Sequence, residues 1–345
     1  MKHLKLIFYN LLIFFLFFFI AEISFGYWLD EDNLGPYMRE HRLKKNTYSV
    51  TYNDQTYDFI YKRNYFGFRG DDVKLEDIEA LMIGGSTTDE RYKPERLTIV
   101  GLLNQKFLNK NFKFKITNAG IEGQSTLGHI YNFEKWFPKL KGLKPNFFIF
   151  YVGINDVVAN NTNKSSDGHV INPSKIEQFK DNIKSRSIFY DLLRKIKHKH
   201  YNKSKKMVYD LNYSLKTKKN KKEFLEFNES LKIHDKNKLI EENKSLIEYY
   251  LSNIDKLAYY SQELNAKPIF INQLTEAGNN DKRIFILNYS LINHCKKKKY
   301  HCIDLAKKLK GRSDFWWDGI HTTPEGSEEI SNIIFPELFN IVKKN

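Results

Sequence analysis

The stretch Ala80-Leu81-Met82-Ile83-Gly84-Gly85-Ser86-Thr87-Thr88 decides the fold. Four apolar residues followed by two glycines and a serine read as a strand buried on both faces that ends in a tight turn. The same kind of run recurs at Phe112–Thr117, Phe147–Val152, Pro268–Asn272 and Tyr300–Asp304. Between most of these runs lie stretches with helical period. In the clearest, Leu246, Ile247, Tyr250, Leu251, Ile254, Leu257, Ala258 and Leu264 share a broad face. Strands alternating with amphipathic helices predict an α/β fold built from βαβ units, with a parallel sheet covered on both sides.

Three further segments take the place that Gly84–Thr88 takes after the first strand. Asn118-Ala119-Gly120 follows the second strand, and Gly153-Ile154-Asn155-Asp156 follows the third. Asp318-Gly319-Ile320-His321 lies just before the last helix. A doubly wound sheet places its ligands at the carboxyl ends of its strands, where all four sit. Singly, each is an ordinary turn. Together they hold the parts that acyl transfer from an ester requires: a nucleophile, a base, a group orienting the base, and donors for the oxyanion. Ser86 supplies a hydroxyl on a turn free of bulky neighbours, and His321 can take its proton. Asp318, three residues earlier, can hold the imidazole tautomer. The N–H groups of Ser86 and Gly120 and the amide of Asn155 are the candidate oxyanion donors. Thr88 stands where a Gly-x-Ser-x-Gly elbow needs glycine, which excludes the α/β-hydrolase turn.

Order, spacing and strand context resemble the SGNH (GDSL-type) serine hydrolase superfamily, whose four blocks contribute Ser, Gly, Asn and His in that order. Ser86, Gly120, Asn155 and His321 match position by position, and Asp318 matches the acid of the family's Asp-x-x-His. Thr322-Thr323-Pro324-Glu325-Gly326 resembles the continuation of the last block. Asn64 through Gly70, with Gly67-Phe68-Arg69-Gly70 at its end, resembles a segment preceding the first block in membrane-anchored bacterial members. The resemblance covers 64–159 and 246–340. One residue departs from it, since Gly85 stands where the usual Gly-Asp-Ser has aspartate.

The resemblance implies a flavodoxin-like three-layer α/β/α sandwich with five parallel strands. It also implies an esterase or deacylase that removes small acyl groups, such as acetyl from cell-envelope or extracellular glycans, through an acyl-enzyme. The implied catalytic residues are Ser86, Asp318 and His321, with an oxyanion hole formed by Ser86, Gly120 and Asn155. Two other readings stay open: an acyltransferase using the same triad, and a non-catalytic protein that binds an anionic polymer or lipid. The sequence has no Walker Gly-Lys-Ser/Thr, no Cys-x-x-Cys and no dinucleotide fingerprint, so no cofactor is expected, and no metal is assigned to the site.

Leu6 to Ala21 is apolar apart from Asn10, and a helix continuing to Leu29 would be about 36 Å long, enough to cross a bilayer. Lys2 and Lys5 precede it, whereas Asp30, Glu31 and Asp32 follow, so the positive-inside rule keeps the N-terminus in the cytoplasm and places the rest outside. The alternatives are a cleaved signal peptide, for which 21–26 offers no good A-x-A site, and a buried helix. Glu22 is expected at the membrane interface. The expected organisation is an anchor (1–29), an extension (30–77) and a hydrolase domain (78–345). A highly charged, mainly helical insertion at about 160–245 interrupts that domain.

The chain carries 56 Lys and Arg against 41 Asp and Glu, a formal charge of +15. Most of the excess lies between Arg194 and Lys222, where 12 basic residues meet only Asp210. The basic balance therefore describes one segment, and with that segment outside the cytoplasm nucleic acid is not an expected partner. The segment is either a solvated loop or a contact for anionic lipid. Cys295 and Cys302, each preceded by histidine, are open to three readings: a disulfide, free thiols or a metal clip.

Overall fold

Eight strands follow one another along the chain: β1 (Lys45–Tyr52), β2 (Gln55–Lys62), β3 (Ala80–Gly84), β4 (Ile116–Asn118), β5 (Phe147–Val152), β6 (Met207–Asp210), β7 (Lys267–Asn272) and β8 (His301–Ile303). They are seen in a computed structural model that describes residues 2–29, 34–35, 37–38, 41–160, 175–204, 206–211 and 223–344. The five apolar runs form one parallel sheet in the order β4-β3-β5-β7-β8. Every residue of β3 and β5 is buried, which is why these strands read as continuous apolar runs rather than alternating ones. Burying a side chain such as Phe148 or Phe150 contributes about 1.5–3 kcal/mol, and the Phe150 ring stacks on Phe270 across the β5–β7 pair at 5.1 Å.

The strand order reverses at β3. Right-handed crossovers on either side of that point place helices on both faces of the sheet. Helices Ile99–Asn109 and Pro324–Lys343 pack on each other, and Lys244–Glu263 packs on both Thr126–Lys135 and Lys282–Lys298. Their starts are legible in the sequence. Thr98 caps the first helix by accepting from the Gly101 N–H, and Thr323 caps the last by accepting from Gly326, with Pro324 at the first helical position. Ser86 follows β3 directly, so it stands at the switch point of the sheet, where an open α/β fold binds its ligands.

A second sheet, ordered β2-β1-β6, joins parts of the chain far apart in sequence. β1 and β2 form an antiparallel hairpin closed by Asn53 and Asp54, both in the left-handed region, with φ of 47° and 63°. β6 runs parallel to β1, pairing Met207 with Tyr48. Tyr48, Val50, Tyr52, Tyr61 and Leu211 form its own small core. The residues read as a polar extension and those read as a helical insertion thus share one sheet.

Within 160–245, helices Lys175–Arg186 and Ile188–Ser204 precede β6, and residues 161–174 and 212–222, including much of the basic run, lie outside the described residues. Residues 224–242 are not an excursion from the core. Phe227 packs on Phe285 at 5.7 Å, Phe224 stacks on Trp316, and Leu239 is buried in the main core. The departure from the core is therefore shorter than the charge pattern suggests. Cys295 and Cys302 form a disulfide, with Cα atoms 6.2 Å apart, that ties the Lys282–Lys298 helix to β8.

The N-terminal helix spans Lys2–Phe25, and His3–Phe25 is long and apolar enough to cross a membrane, with a mean hydropathy of 2.4. Glu22 is buried against protein, not exposed at the end of the helix.

Candidate active site

The turn after β3 delivers Ser86 as the first residue of a short helix, Ser86–Asp89. A helix start leaves its first N–H groups without intrahelical acceptors, and the Ser86 N–H is one of these. His321 comes from the loop before the last helix. Its Nε2 lies 2.8 Å from Ser86 Oγ and its Nδ1 lies 2.6 Å from Asp318 Oδ2. Asp318 is held by its own loop, because Oδ1 accepts the N–H groups of Ile320 (2.8 Å) and His321 (2.6 Å). Burial works to raise the Asp318 pKa. The hydrogen bonds from the His321 ring and from these two N–H groups outweigh it and hold the carboxyl below its ordinary value. Trp317 stacks on the imidazole at 5.3 Å, close to parallel, and limits its rotation.

The other two expected blocks reach the same turn. The Asn155 amide donates to Gln124 O at 2.7 Å, which fixes its plane and leaves its second N–H for a ligand. It sits so close to Gly85 that a Cβ there would overlap the amide nitrogen. Gly120 lies against the Ser86 helix, where a Cβ would come 2.5 Å from Asp89 N. Its N–H is bonded to Asn118 Oδ1 at 2.9 Å, while the Asn118 amide donates to Thr88 O at 2.7 Å. Asp156 does not face Ser86. It accepts from Thr126 N–H and Oγ–H and so anchors the Thr126–Lys135 helix.

Several residues that the sequence reading did not select hold this arrangement from behind. Arg63 and Asp89 form an ion pair at 2.8 Å with both side chains buried, and Arg63 also donates to Gly120 O at 2.9 Å. Tyr61 adds a hydrogen bond to Asp89 at 2.9 Å, and burial, reinforced by Asp89, pushes the Tyr61 pKa up to about 12. Arg69 donates to the carbonyls of Asp89 and Lys93 and pairs with Glu95 at 2.8 Å. Lys93 pairs with Glu90 and donates to Thr322 Oγ1 at 2.8 Å, linking the serine turn to the residue beside His321. Gln273 joins the serine helix to the Asn155 block, accepting from Ile154 N–H at 2.9 Å and donating to Thr87 Oγ1 at 2.8 Å.

A cavity of about 180 Å3 opens onto Ser86 and His321, walled by Tyr52, Tyr92, Trp317 and the Arg91–Glu122 ion pair. Tyr209 of β6 does not line the cavity but packs edge-on against Tyr92, which does, with ring centroids 4.9 Å apart. Among the described residues no cluster of His, Cys, Asp or Glu could hold a metal ion. The arrangement can pass a proton from a serine hydroxyl to an imidazole whose other nitrogen faces a carboxylate.

No curated protein matches the chain. Solved structures similar to it include a variant of Axe2, an acetyl-xylooligosaccharide esterase from Geobacillus stearothermophilus, at 13% identity, with 75% of this chain and 93% of that one covered and a TM-score of 0.44. Another is a GDSL-like lipase from Bacteroides thetaiotaomicron at 14% identity, with 79% and 92% covered and a TM-score of 0.40. The model of the GDSL-like lipase/acylhydrolase family matches residues 81–334, most of the chain, and the protein belongs to that family of ester-bond hydrolases.

Proposed function

We propose that the protein is an extracytoplasmic serine esterase that removes small acyl groups, acetyl foremost, from glycans, with Ser86, His321 and Asp318 as its catalytic residues. The observation that carries the reading is His321 hydrogen-bonded on one side to Ser86 and on the other to Asp318. In the first half-reaction Ser86 Oγ attacks the ester carbonyl carbon while His321 Nε2 takes its proton. The carbonyl oxygen becomes an oxyanion that accepts from the Ser86 N–H and the free N–H of the Asn155 amide. The oxyanion is also a stronger acceptor than the Asn118 amide, so it draws the Gly120 N–H from that partner. The tetrahedral centre then collapses, the bond to the alcohol oxygen breaks, and His321 returns the proton to that oxygen. In the second half-reaction water attacks the acyl-enzyme, His321 again takes and returns the proton, and the acid leaves with Ser86 restored.

The cavity supports a short acyl group. About 180 Å3 walled by two tyrosines, a tryptophan and an ion pair suits a small acyl chain on a polar, ring-shaped acceptor better than a fatty chain. The extracytoplasmic placement rests on the apolar helix and on the charges flanking it. On this reading the helix stays attached as a single-pass anchor.

The test is a serine-directed fluorophosphonate probe followed by peptide mass mapping, together with turnover of a soluble acetyl ester. The probe should modify Ser86, and Ser86→Ala should lose the label and at least about three orders of magnitude in kcat/KM with its fold intact. A folded Ser86→Ala variant that still turned over the ester at a tenth of the wild-type rate would overturn the assignment.

A further inference from the structure

The helix pair Lys175–Arg186 and Ile188–Ser204 exposes an apolar stripe that the active site does not use. On the first helix Ile176, Phe179 and Ile183 fall on one face, and on the second Phe189, Leu192, Leu193 and Ile196 do so. Phe179 and Leu193 are 65% and 64% exposed, values unusual for such residues on a soluble surface. The polar side is basic, since residues 175–197 carry seven Lys and Arg against three acids. An apolar face with a lysine-rich opposite face is the pattern of a helix lying in a membrane interface.

Two contacts tie this pair to the N-terminal apolar helix. The Phe189 ring, at the head of the second stripe, stacks on Phe18 with centroids 4.3 Å apart. Glu22 sits at the N-terminus of the second helix. It accepts from the Ser187 hydroxyl at 2.5 Å and from the N–H groups of Ile188 (3.1 Å) and Phe189 (3.4 Å). Trp28 Nε1 adds a fourth hydrogen bond at 2.9 Å. A carboxylate on a membrane helix is costly unless it is partnered, and the positive end of a helix partners it well. Phe18 is seven residues from the end of the apolar helix, about 10 Å along its axis. The stripe therefore begins at the depth where acyl chains meet headgroups.

We propose that helices Lys175–Arg186 and Ile188–Ser204 form a hairpin lying in the lipid–water interface of the bilayer that the N-terminal helix spans. Their apolar stripe enters the acyl boundary, and Glu22 locks the hairpin to the anchor. The proposal rests on the reading of that helix as an anchor. The hairpin is followed by β6, whose Tyr209 packs on the cavity-lining Tyr92, so it also links the cleft to the membrane surface through that contact.

The test uses the full-length protein in vesicles of phosphatidylethanolamine and phosphatidylglycerol containing a lipid with a diazirine in its acyl chain. Photolysis and peptide mapping should place lipid adducts on 2–25 and also on 175–196. Adducts confined to 2–25 leave the anchor reading standing and overturn the hairpin, whereas adducts on neither segment overturn both. A variant combining Ile176→Ser, Phe179→Ser, Leu192→Ser and Leu193→Ser changes exposed positions only. It should lose adducts on 175–196 roughly tenfold, because interfacial binding scales with buried apolar area. Adducts on 2–25 and hydrolysis of a soluble acetyl ester should stay at wild-type levels. Hairpin adducts that persist in this variant overturn the proposal. So does a dimer in detergent that the four substitutions convert to a monomer, which would assign the stripe to a second copy of the chain.

Discussion

Gly85→Ala isolates one physical effect, the placement of the Asn155 amide. The φ of −86° at Gly85 lies outside the left-handed region, so it does not by itself demand glycine. An alanine methyl group there would overlap the Asn155 amide nitrogen, and it would lie 3.3 Å from Asn155 Cγ and 3.1 Å from Gln124 O. The atom that must yield is the end of a side chain, so stability should change by no more than about 1 kcal/mol. To reach ordinary contact distance the amide nitrogen must retreat by at least about 1.3 Å, which carries it off the position of the oxyanion. Loss of one such donor costs about 2.7–4 kcal/mol of transition-state stabilisation, a fall in kcat of roughly 10²–10³. The assay is steady-state hydrolysis of a soluble acetyl ester by wild type, Gly85→Ala, Asn155→Ala and the double variant, with urea midpoints for each. If alanine acts only by displacing Asn155, the double variant should be no slower than Asn155→Ala alone. Two results would refute the reasoning: a Gly85→Ala rate within about threefold of wild type, or losses that add in the double variant.

Two further outcomes follow from the same geometry. The Asp318 carboxyl is held below its ordinary value in the folded state, so it contributes stability that is present above about pH 4 and is lost as pH falls through its folded pKa. Asp318→Asn should therefore be less stable than wild type at pH 7 and converge on it toward pH 3 in urea melts, and its kcat should fall by up to roughly 10⁴ because the tautomer of His321 is no longer fixed. Asp89→Ala strands the buried Arg63 guanidinium and should cost about 3–5 kcal/mol of stability. Pairing Asp89→Leu with Arg63→Met should restore most of that stability but not the turnover, because the hydrogen bond from Arg63 to Gly120 O is gone.

The main sheet was legible because β3, β4 and β5 are buried on both faces and β7 nearly so, which writes burial into the sequence as uninterrupted runs such as Phe147–Val152. The Ser86, Asn155 and Asp318–His321 segments were legible for a related reason, since a parallel sheet sends every loop from the same strand ends to one crevice. The smaller sheet was not. β6 is four residues within a basic run, and its partner β1 lies more than 150 residues away, so no local pattern marks the pairing. Its hairpin did leave a signal, the Asn53-Asp54 turn between two aromatic runs, although without glycine it is a faint one. Arg63 and Asp89 escaped because a charged residue reads as surface until its partner is known, and theirs lies 26 residues away. Glu90 and Lys93 read as an ordinary surface pair three residues apart, and the Thr322 they meet in the interior lies 229 residues beyond Lys93. The partners of Glu22 were out of reach for the same reason, since the Ser187 hydroxyl and the N–H groups of Ile188 and Phe189 lie 165 or more residues later.

These long-range ties change what the extension and the insertion mean for catalysis. Ser86 and His321 sit on turns that their own loops cannot hold to within a few tenths of an ångström. The serine helix has four residues, too few to be stable alone. Its position is set by Arg63 and Arg69 gripping Asp89 and its carbonyl, and by Lys93 reaching Thr322 beside the histidine. Arg63 follows directly from the β1–β2 hairpin and Arg69 seven residues after its end, and the other edge of the hairpin is paired with β6. A shift of β6 therefore bears on the hairpin from which Arg63 extends and, through Tyr209, on the cavity-lining Tyr92. The small sheet couples the two segments outside the main sandwich to the alignment of the proposed base and nucleophile, where an error of about 1 Å can cost roughly a hundredfold in rate.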